Sequence, residues 1–190
     1  MQRTFLALDL PTSVREALVR EQQALQRQLP AASWVRTHAM HITVKFLGDT
    51  PEEQIEMIRE AVSGKCKDLL SFVIELAGLG VFPDSKAPRT LWAGISSGQE
   101  QLLSLEKDID EALVPIGFPA EHKPYHPHVT LARIKKDHRQ FGLTLRQAEI
   151  LTHMINFGSV PIEKIRLYKS ELKPGGSVYT PLWDVSFRST

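Results

Sequence analysis

Tyr125-His126-Pro127-His128-Val129-Thr130-Leu131-Ala132-Arg133 is an echo of an earlier stretch, Met40-His41-Ile42-Thr43-Val44-Lys45-Phe46-Leu47-Gly48. Each holds His-x-Thr followed by an apolar residue, and the two histidines, His41 and His128, stand 87 residues apart. Apolar and polar residues alternate, which is the period of a strand. Successive side chains of a strand point to opposite faces, so His41 and Thr43 share one face while Ile42, Val44 and Phe46 take the other. His128 and Thr130 are set against Val129 and Leu131 in the same way. Two half-buried strands thus each present an imidazole and a hydroxyl away from their apolar face, as the two halves of one site.

Upstream of the first motif strand, at 40–47, residues 3–9 read as a buried strand. Asp9 and Pro11 then open a helix with Val14, Leu18, Leu25 and Leu29 on one face, and Pro30 ends it. Residues 34–36 are a short extended piece. Gly48 closes the first motif strand, and Thr50-Pro51-Glu52-Glu53 has the form of a capping box that predicts a helix to about Lys65, burying Ile55, Ile58 and Val62. Residues 71–82 read as a strand interrupted near Gly78 and Gly80, 83–88 as a loop and 90–95 as another strand. Leu102, Leu105, Ile109 and Leu113 mark an amphipathic helix stopped by Pro115 and Gly117. After the second motif the pattern predicts a helix over 137–154. A hairpin of 165–172 and 178–187 follows, about a turn at Pro174-Gly175-Gly176.

Strands and helices in this order give an α+β fold. The order repeats: strand, helix and motif strand fill 3–47, and again 90–134. The expectation is two pseudo-symmetric lobes with the motif strands facing each other. No Gly- or Ser-rich linker separates them, so residues 1–190 read as a single domain of two interleaved lobes.

A hydrophobic fraction of 42% and a charged fraction of 24% are ordinary for a globular protein. A net charge of +1 argues against a protein that grips long stretches of nucleic-acid backbone, and leaves room for a pocket that holds one phosphate. A lone Cys66 offers neither a disulfide framework nor a cysteine zinc cage and suggests a reducing compartment. The apolar run at the amino terminus is too short for a signal peptide, and no run of about 18 apolar residues suits a membrane span. The expectation is a soluble cytoplasmic monomer with no membrane association and no obligate protein partner.

Two histidines flanking a cleft can divide acid and base roles, because an unperturbed pKa near 6.5 leaves both forms of imidazole accessible. Thr43 and Thr130 stand where a hydroxyl can donate to a nonbridging phosphoryl oxygen. Phosphodiester cleavage fits this equipment with no metal and no cofactor. His126 shares a face with His128, so His-x-His is a conceivable zinc pair, but no third ligand stands at metal-site spacing; a supporting hydrogen-bond role suits it better than a direct catalytic one. Arg133 has the wrong parity for the phosphate unless a bulge turns it back. Lys45 has the right parity, with solvent as its alternative. Phe46 and Tyr125 are candidates to stack on a base, though Phe46 falls on the core face. Trp34 and Trp92 read as core, and His38, His122, His138 and His153 as loop or surface residues.

With these residues in view, the chain resembles the two-histidine phosphoesterase superfamily, and within it the RNA 2′,3′-cyclic phosphodiesterases, also called 2′-5′ RNA ligases. The likeness extends from Phe5-Leu6-Ala7-Leu8-Asp9-Leu10-Pro11 through Trp34-Val35-Arg36, both motifs, Gly78-Leu79-Gly80-Val81-Phe82-Pro83 and Leu91-Trp92-Ala93-Gly94 to Leu167-Tyr168-Lys169-Ser170-Glu171-Leu172. It implies two lobes of antiparallel sheet with outer helices around a central cleft. It also implies metal-independent opening of terminal 2′,3′-cyclic phosphates to 2′-phosphomonoesters, with His41 as proton donor, His128 as proton acceptor, and Thr43, Thr130 and Arg133 binding substrate. Joining of RNA ends through a 2′-5′ linkage is the reverse sense of the same chemistry. Ala39 departs from the Asn often found there in relatives. RNA ends or small cyclic-phosphate nucleotides are the implied partners. A hydrolase of a small nucleotide-derived cyclic phosphate, or a non-catalytic RNA-end binder, are the alternatives.

Overall fold

The computed structural model describes residues 1–30, 32–174 and 176–189. Among these residues nine strands run as β1 (Gln2–Leu8), β2 (Ala32–Trp34), β3 (Ile42–Thr50), β4 (Phe72–Phe82), β5 (Thr90–Ser97), β6 (Val129–Ile134), β7 (Asn156–Ile162), β8 (Lys164–Lys173) and β9 (Gly176–Ser186). Four helices join them: α1 (Thr12–Gln26), α2 (Gln54–Cys66), α3 (Gln99–Leu113) and α4 (His138–Gln147).

The strands form one sheet in the order β7-β4-β5-β6-β3-β1-β8-β9, with β2 also paired to β6, and every strand pair is antiparallel. The motif strands β6 and β3 are its middle. Apart from β2, four strands lie on each side of the line between them, so the two halves are related by a pseudo-two-fold through the sheet centre. The halves meet as neighbours in this sheet, joined at β3 and β6 by the single pair Ile42 and Val129.

Each helix buries one stripe: Val14, Leu18 and Leu25 from α1, Ile58 and Val62 from α2, Leu102, Leu105 and Ile109 from α3, and Phe141 and Leu145 from α4. These residues join Leu6, Leu8, Ile42, Val44, Leu91, Val129 and Leu131 in one apolar cluster that spans both halves. The opposite face of the sheet centre is left for chemistry.

Several expectations need correction. The capping box does not form: Thr50 ends β3, where its hydroxyl shares a 2.7 Å hydrogen bond with that of Thr4, and α2 starts four residues later without a side-chain cap. A buried partner for a buried hydroxyl outweighs a solvent-exposed cap. Gly48 does not end the strand; it sits at a left-handed bulge (φ 74°) within β3. Residues 72–82 are continuous, the irregularity near Gly78 being a bulge rather than a break. The predicted helix over 137–154 stops at Gln147, with a short 3₁₀ turn at Ile150–Thr152, and β7 then forms an edge strand the sequence pattern did not reveal. Its Pro161 is tolerated because an edge strand leaves every second amide unpaired. The terminal hairpin is present; Gly175 of its turn lies outside the described residues.

Candidate active site

Ile42 and Val129 point into the core, both fully buried. His41, Thr43, His128 and Thr130 flank that pair on the other face, each half-buried. Antiparallel pairing sets His41 beside Thr130 and Thr43 beside His128, so the imidazoles lie on a diagonal of one small quadrilateral. They are close enough that charge on His128 disfavours protonation of His41.

Both rings are held alike. His41 Nδ1 donates to the carbonyl of Ala39 at 2.9 Å, and His128 Nδ1 donates to the carbonyl of His126 at 2.7 Å. A carbonyl only accepts, so Nδ1 carries the proton and Nε2 keeps its lone pair in each neutral ring. At His41 the hydroxyl of Thr43 donates to Nε2 at 3.0 Å. The departure at Ala39 does not touch this arrangement, since the backbone makes the contact. The support expected from His126 likewise comes from its carbonyl; its own imidazole is exposed and rests against Phe82 and Trp92. Among the described residues no three His, Cys, Asp or Glu side chains gather as metal ligands would.

Aromatic walls stand behind each histidine. Phe5 lies 4.8 Å from the His41 ring and Tyr179 5.3 Å from it, with Tyr168 stacked on Phe5 at 5.5 Å. Phe82 lies 5.2 Å and Trp92 6.0 Å from the His128 ring. Burial among them disfavours imidazolium: His41 is pushed down to about 4, and His128 is lowered for the same reason. Smaller charge effects differ between the two. Asp9 favours imidazolium at His41, opposed by Arg15, and Arg133 disfavours it at His128.

Two bulges decide which further side chains join this face. In β3, Lys45 pairs with Leu6 and Thr43 with Ala7, leaving Val44 unpaired; in β6, Ala132 pairs with Leu91 and Thr130 with Trp92, leaving Leu131 unpaired. Each bulge sits three residues after its histidine and buries two consecutive residues, which reverses the alternation beyond it. Arg133 is thereby turned to the face of His128, in one cross-strand row with Thr90 and Phe82. Phe46 is turned to the face of His41, in a row with Phe5 and Tyr168, and is 69% exposed; its expected place in the core is incorrect. Lys45, expected toward the cleft or solvent, is 8% exposed and ion-paired with Asp110, and donates to the carbonyl of Pro119 at 2.9 Å.

The site is stitched together across the halves. Gln22 of α1 donates from Nε2 to the carbonyl of Leu131 at 2.9 Å and to that of Val35 at 3.0 Å, holding the β6 bulge. Tyr125, considered for base stacking, instead donates its hydroxyl to the carbonyl of Thr43 at 2.8 Å. Trp92, expected in the core, lies on the site face over Gly80, where any Cβ would overlap its ring. Trp34 is half-buried against the core. His38, His122 and His153 are exposed, whereas half-buried His138 donates from Nδ1 to the carbonyl of Pro88 at 3.0 Å. Phe5, Phe82, Tyr168 and Tyr179 had no role assigned from sequence, although Phe5, Phe82 and Tyr168 fall in stretches that carry the family likeness.

Two imidazoles on a duplicated strand motif at the centre of a pseudo-symmetric antiparallel sheet define a two-histidine phosphoesterase. A family model described as LigT like Phosphoesterase matches the chain twice, at residues 8–92 and 94–179, one match for each histidine motif, and the chain belongs to this family. Relatives named RNA 2′,3′-cyclic phosphodiesterase include one from Methanothermobacter thermautotrophicus, 31% identical over 95% of this chain and 96% of its own length. Another, from Aquifex aeolicus, is 33% identical over 94% of this chain and 93% of its own. Among solved structures, TT0787 of Thermus thermophilus superposes with a TM-score of 0.83 at 31% identity, covering 98% of each chain.

Proposed function

We propose that this protein is a metal-independent RNA 2′,3′-cyclic phosphodiesterase that leaves a 2′-phosphomonoester. The observation that carries this reading is the pair of Nδ1-tethered histidines flanking Ile42 and Val129, which leaves Nε2 of each ring for proton transfer, that of His41 holding the Thr43 hydroxyl until substrate enters. The relatives' names support the substrate.

In the reaction, water attacks phosphorus and gives its proton to Nε2 of His128. The bond from phosphorus to O3′ breaks, and His41 protonates the departing oxygen. The likeness to the family supports this division; among the local charges Asp9 favours imidazolium at His41 and Arg15 opposes it, while burial disfavours imidazolium at both rings in the free protein. The bound phosphodiester anion supplies further stabilisation to the protonated acid. Thr43, Thr130 and Arg133 bind the phosphoryl oxygens, and exposed Phe46 offers the terminal base a face. When substrate enters, it takes over the hydroxyl that Thr43 lends to His41. With a 5′-hydroxyl in place of water, the same attack on the cyclic phosphate breaks the bond from phosphorus to O3′ and joins two RNA ends through a 2′-5′ phosphodiester. Both half-sites come from one chain, which supports action as a monomer, and a single buried cysteine suits the cytoplasm.

The test is hydrolysis of an oligonucleotide with a 2′,3′-cyclic end, with the product's phosphate position read by nuclear magnetic resonance. His41→Gln and His128→Gln are each expected to lose roughly 100- to 10,000-fold in kcat with an unchanged circular dichroism spectrum. A fully active variant, or a 3′-phosphomonoester product, would refute the assignment.

A further inference from the structure

The net charge of +1 conceals a strong local imbalance. Between residues 133 and 146 stand Arg133, Lys135, Lys136, Arg139 and Arg146 against Asp137 alone. The loop between β4 and β5 adds Lys86 and Arg89 against Asp84. Seven cations against two carboxylates make this region +5, so the remainder of the chain is −4.

The fold joins the two segments into one surface. Gly142 of α4 lies on the loop so closely that a Cβ there would overlap the carbonyl oxygen of Ser85. Arg146 donates to that same carbonyl, and His138 donates to that of Pro88. Where α4 meets the loop there is a hollow of about 500 Å³, lined in part by Lys86, Arg139, Gln140, Leu143 and Arg146. All seven cations are on exposed residues.

Both segments leave directly from the site. The loop follows Phe82, whose ring lies against His128, and the α4 segment follows Arg133, in one cross-strand row with Phe82 and Thr90. A cyclic phosphate exists only at the 3′ end of RNA, so with that end in the cleft the remaining backbone must depart 5′-ward. We propose that it departs over this surface, the phosphates of a single-stranded RNA lying along Lys135, Lys136, Arg139 and Lys86. The proposal rests on the reading of the protein as a cyclic phosphodiesterase and adds to it that the preferred substrate is an oligonucleotide. It also qualifies the expectation drawn from net charge, since binding responds to where charge sits.

The experiment compares a cyclic mononucleotide with a cyclic-ended octamer, for wild type and for Lys86→Ala/Lys136→Ala/Arg139→Ala. At low salt the triple variant is expected to lose about tenfold or more in kcat/KM for the octamer and to keep its mononucleotide activity within twofold. Affinity of the octamer, read by fluorescence anisotropy, should fall with salt, and the logarithmic slope should shrink by about 2 in the variant, at roughly 0.7 per phosphate contact. Equal loss on both substrates, or no loss on either, overturns the proposal. If wild type turns over neither substrate, the catalytic reading fails, and the anisotropy slope alone decides whether this surface holds RNA. Equally tight binding of polyglutamate of matched charge overturns the assignment to RNA in favour of an acidic protein partner.

Discussion

Gln22→Leu tests the idea that a helix side chain, rather than the strand itself, holds Arg133 in the site. Gln22 is 5% exposed and gives both amide hydrogens to carbonyls, one at the β6 bulge and one at Val35. Leucine nearly matches its volume, so little cavity cost enters. The carbonyl of Leu131 keeps the amide of Val35 at 2.8 Å and loses only its second donor, worth about 1 kcal/mol. The carbonyl of Val35 loses its side-chain donor in a half-buried place, which costs about 1–3 kcal/mol. Together these predict a loss of about 2–4 kcal/mol, or a urea midpoint lower by about 1–2 M at an m-value of about 2 kcal/mol/M. Gln22→Glu should be worse, because it sets a carboxylate against two carbonyl oxygens. With the bulge loosened, Arg133 loses its fixed direction, so KM should rise more than kcat falls. A midpoint within about 0.2 M of wild type, with KM unchanged, would falsify the bracing role of Gln22.

Acid stability should report the burial of His41. Its folded pKa of about 4 lies below the unfolded 6.5, so the folded state binds fewer protons between those values, and the stabilisation present above pH 6.5 fades as pH falls toward 4. From pH 7 to 4, wild type should lose up to about 3 kcal/mol more than His41→Gln; equal losses in urea titrations would count against a buried neutral imidazole. In steady-state kinetics, the limbs of kcat/KM should centre below pH 6.5, since burial lowers both histidines in the free enzyme, and those of kcat should move upward because the bound anion favours imidazolium. Superimposed profiles would contradict this coupling. Gly80→Ala should displace Trp92 from beneath His126 and His128 and lower kcat/KM by about tenfold or more, a drop of at least 1.4 kcal/mol in transition-state binding. An active variant with unaltered tryptophan fluorescence would show that Trp92 does not position His128.

The paired motifs were legible because a strand's period of two ties residue order to face: His41 with Thr43, and His128 with Thr130, had to share a side whatever the rest of the chain did. The order of strands and helices, and its repetition, followed from local periodicity. Tertiary structure decided what lay beyond the bulges. Alternation put Phe46 in the core and Arg133 away from the face of His128, and one unpaired residue in each strand reversed both. A bulge depends on which carbonyl finds which donor across the sheet, and one of the two donors for Leu131 comes from Gln22, 109 residues away. Lys45 illustrates the same limit, its partner Asp110 lying on a helix from the other half. Local sequence fixes which side chains share a face through backbone geometry; long-range hydrogen bonding decides where that rule is broken, and here it is broken twice, at the edge of the candidate active site.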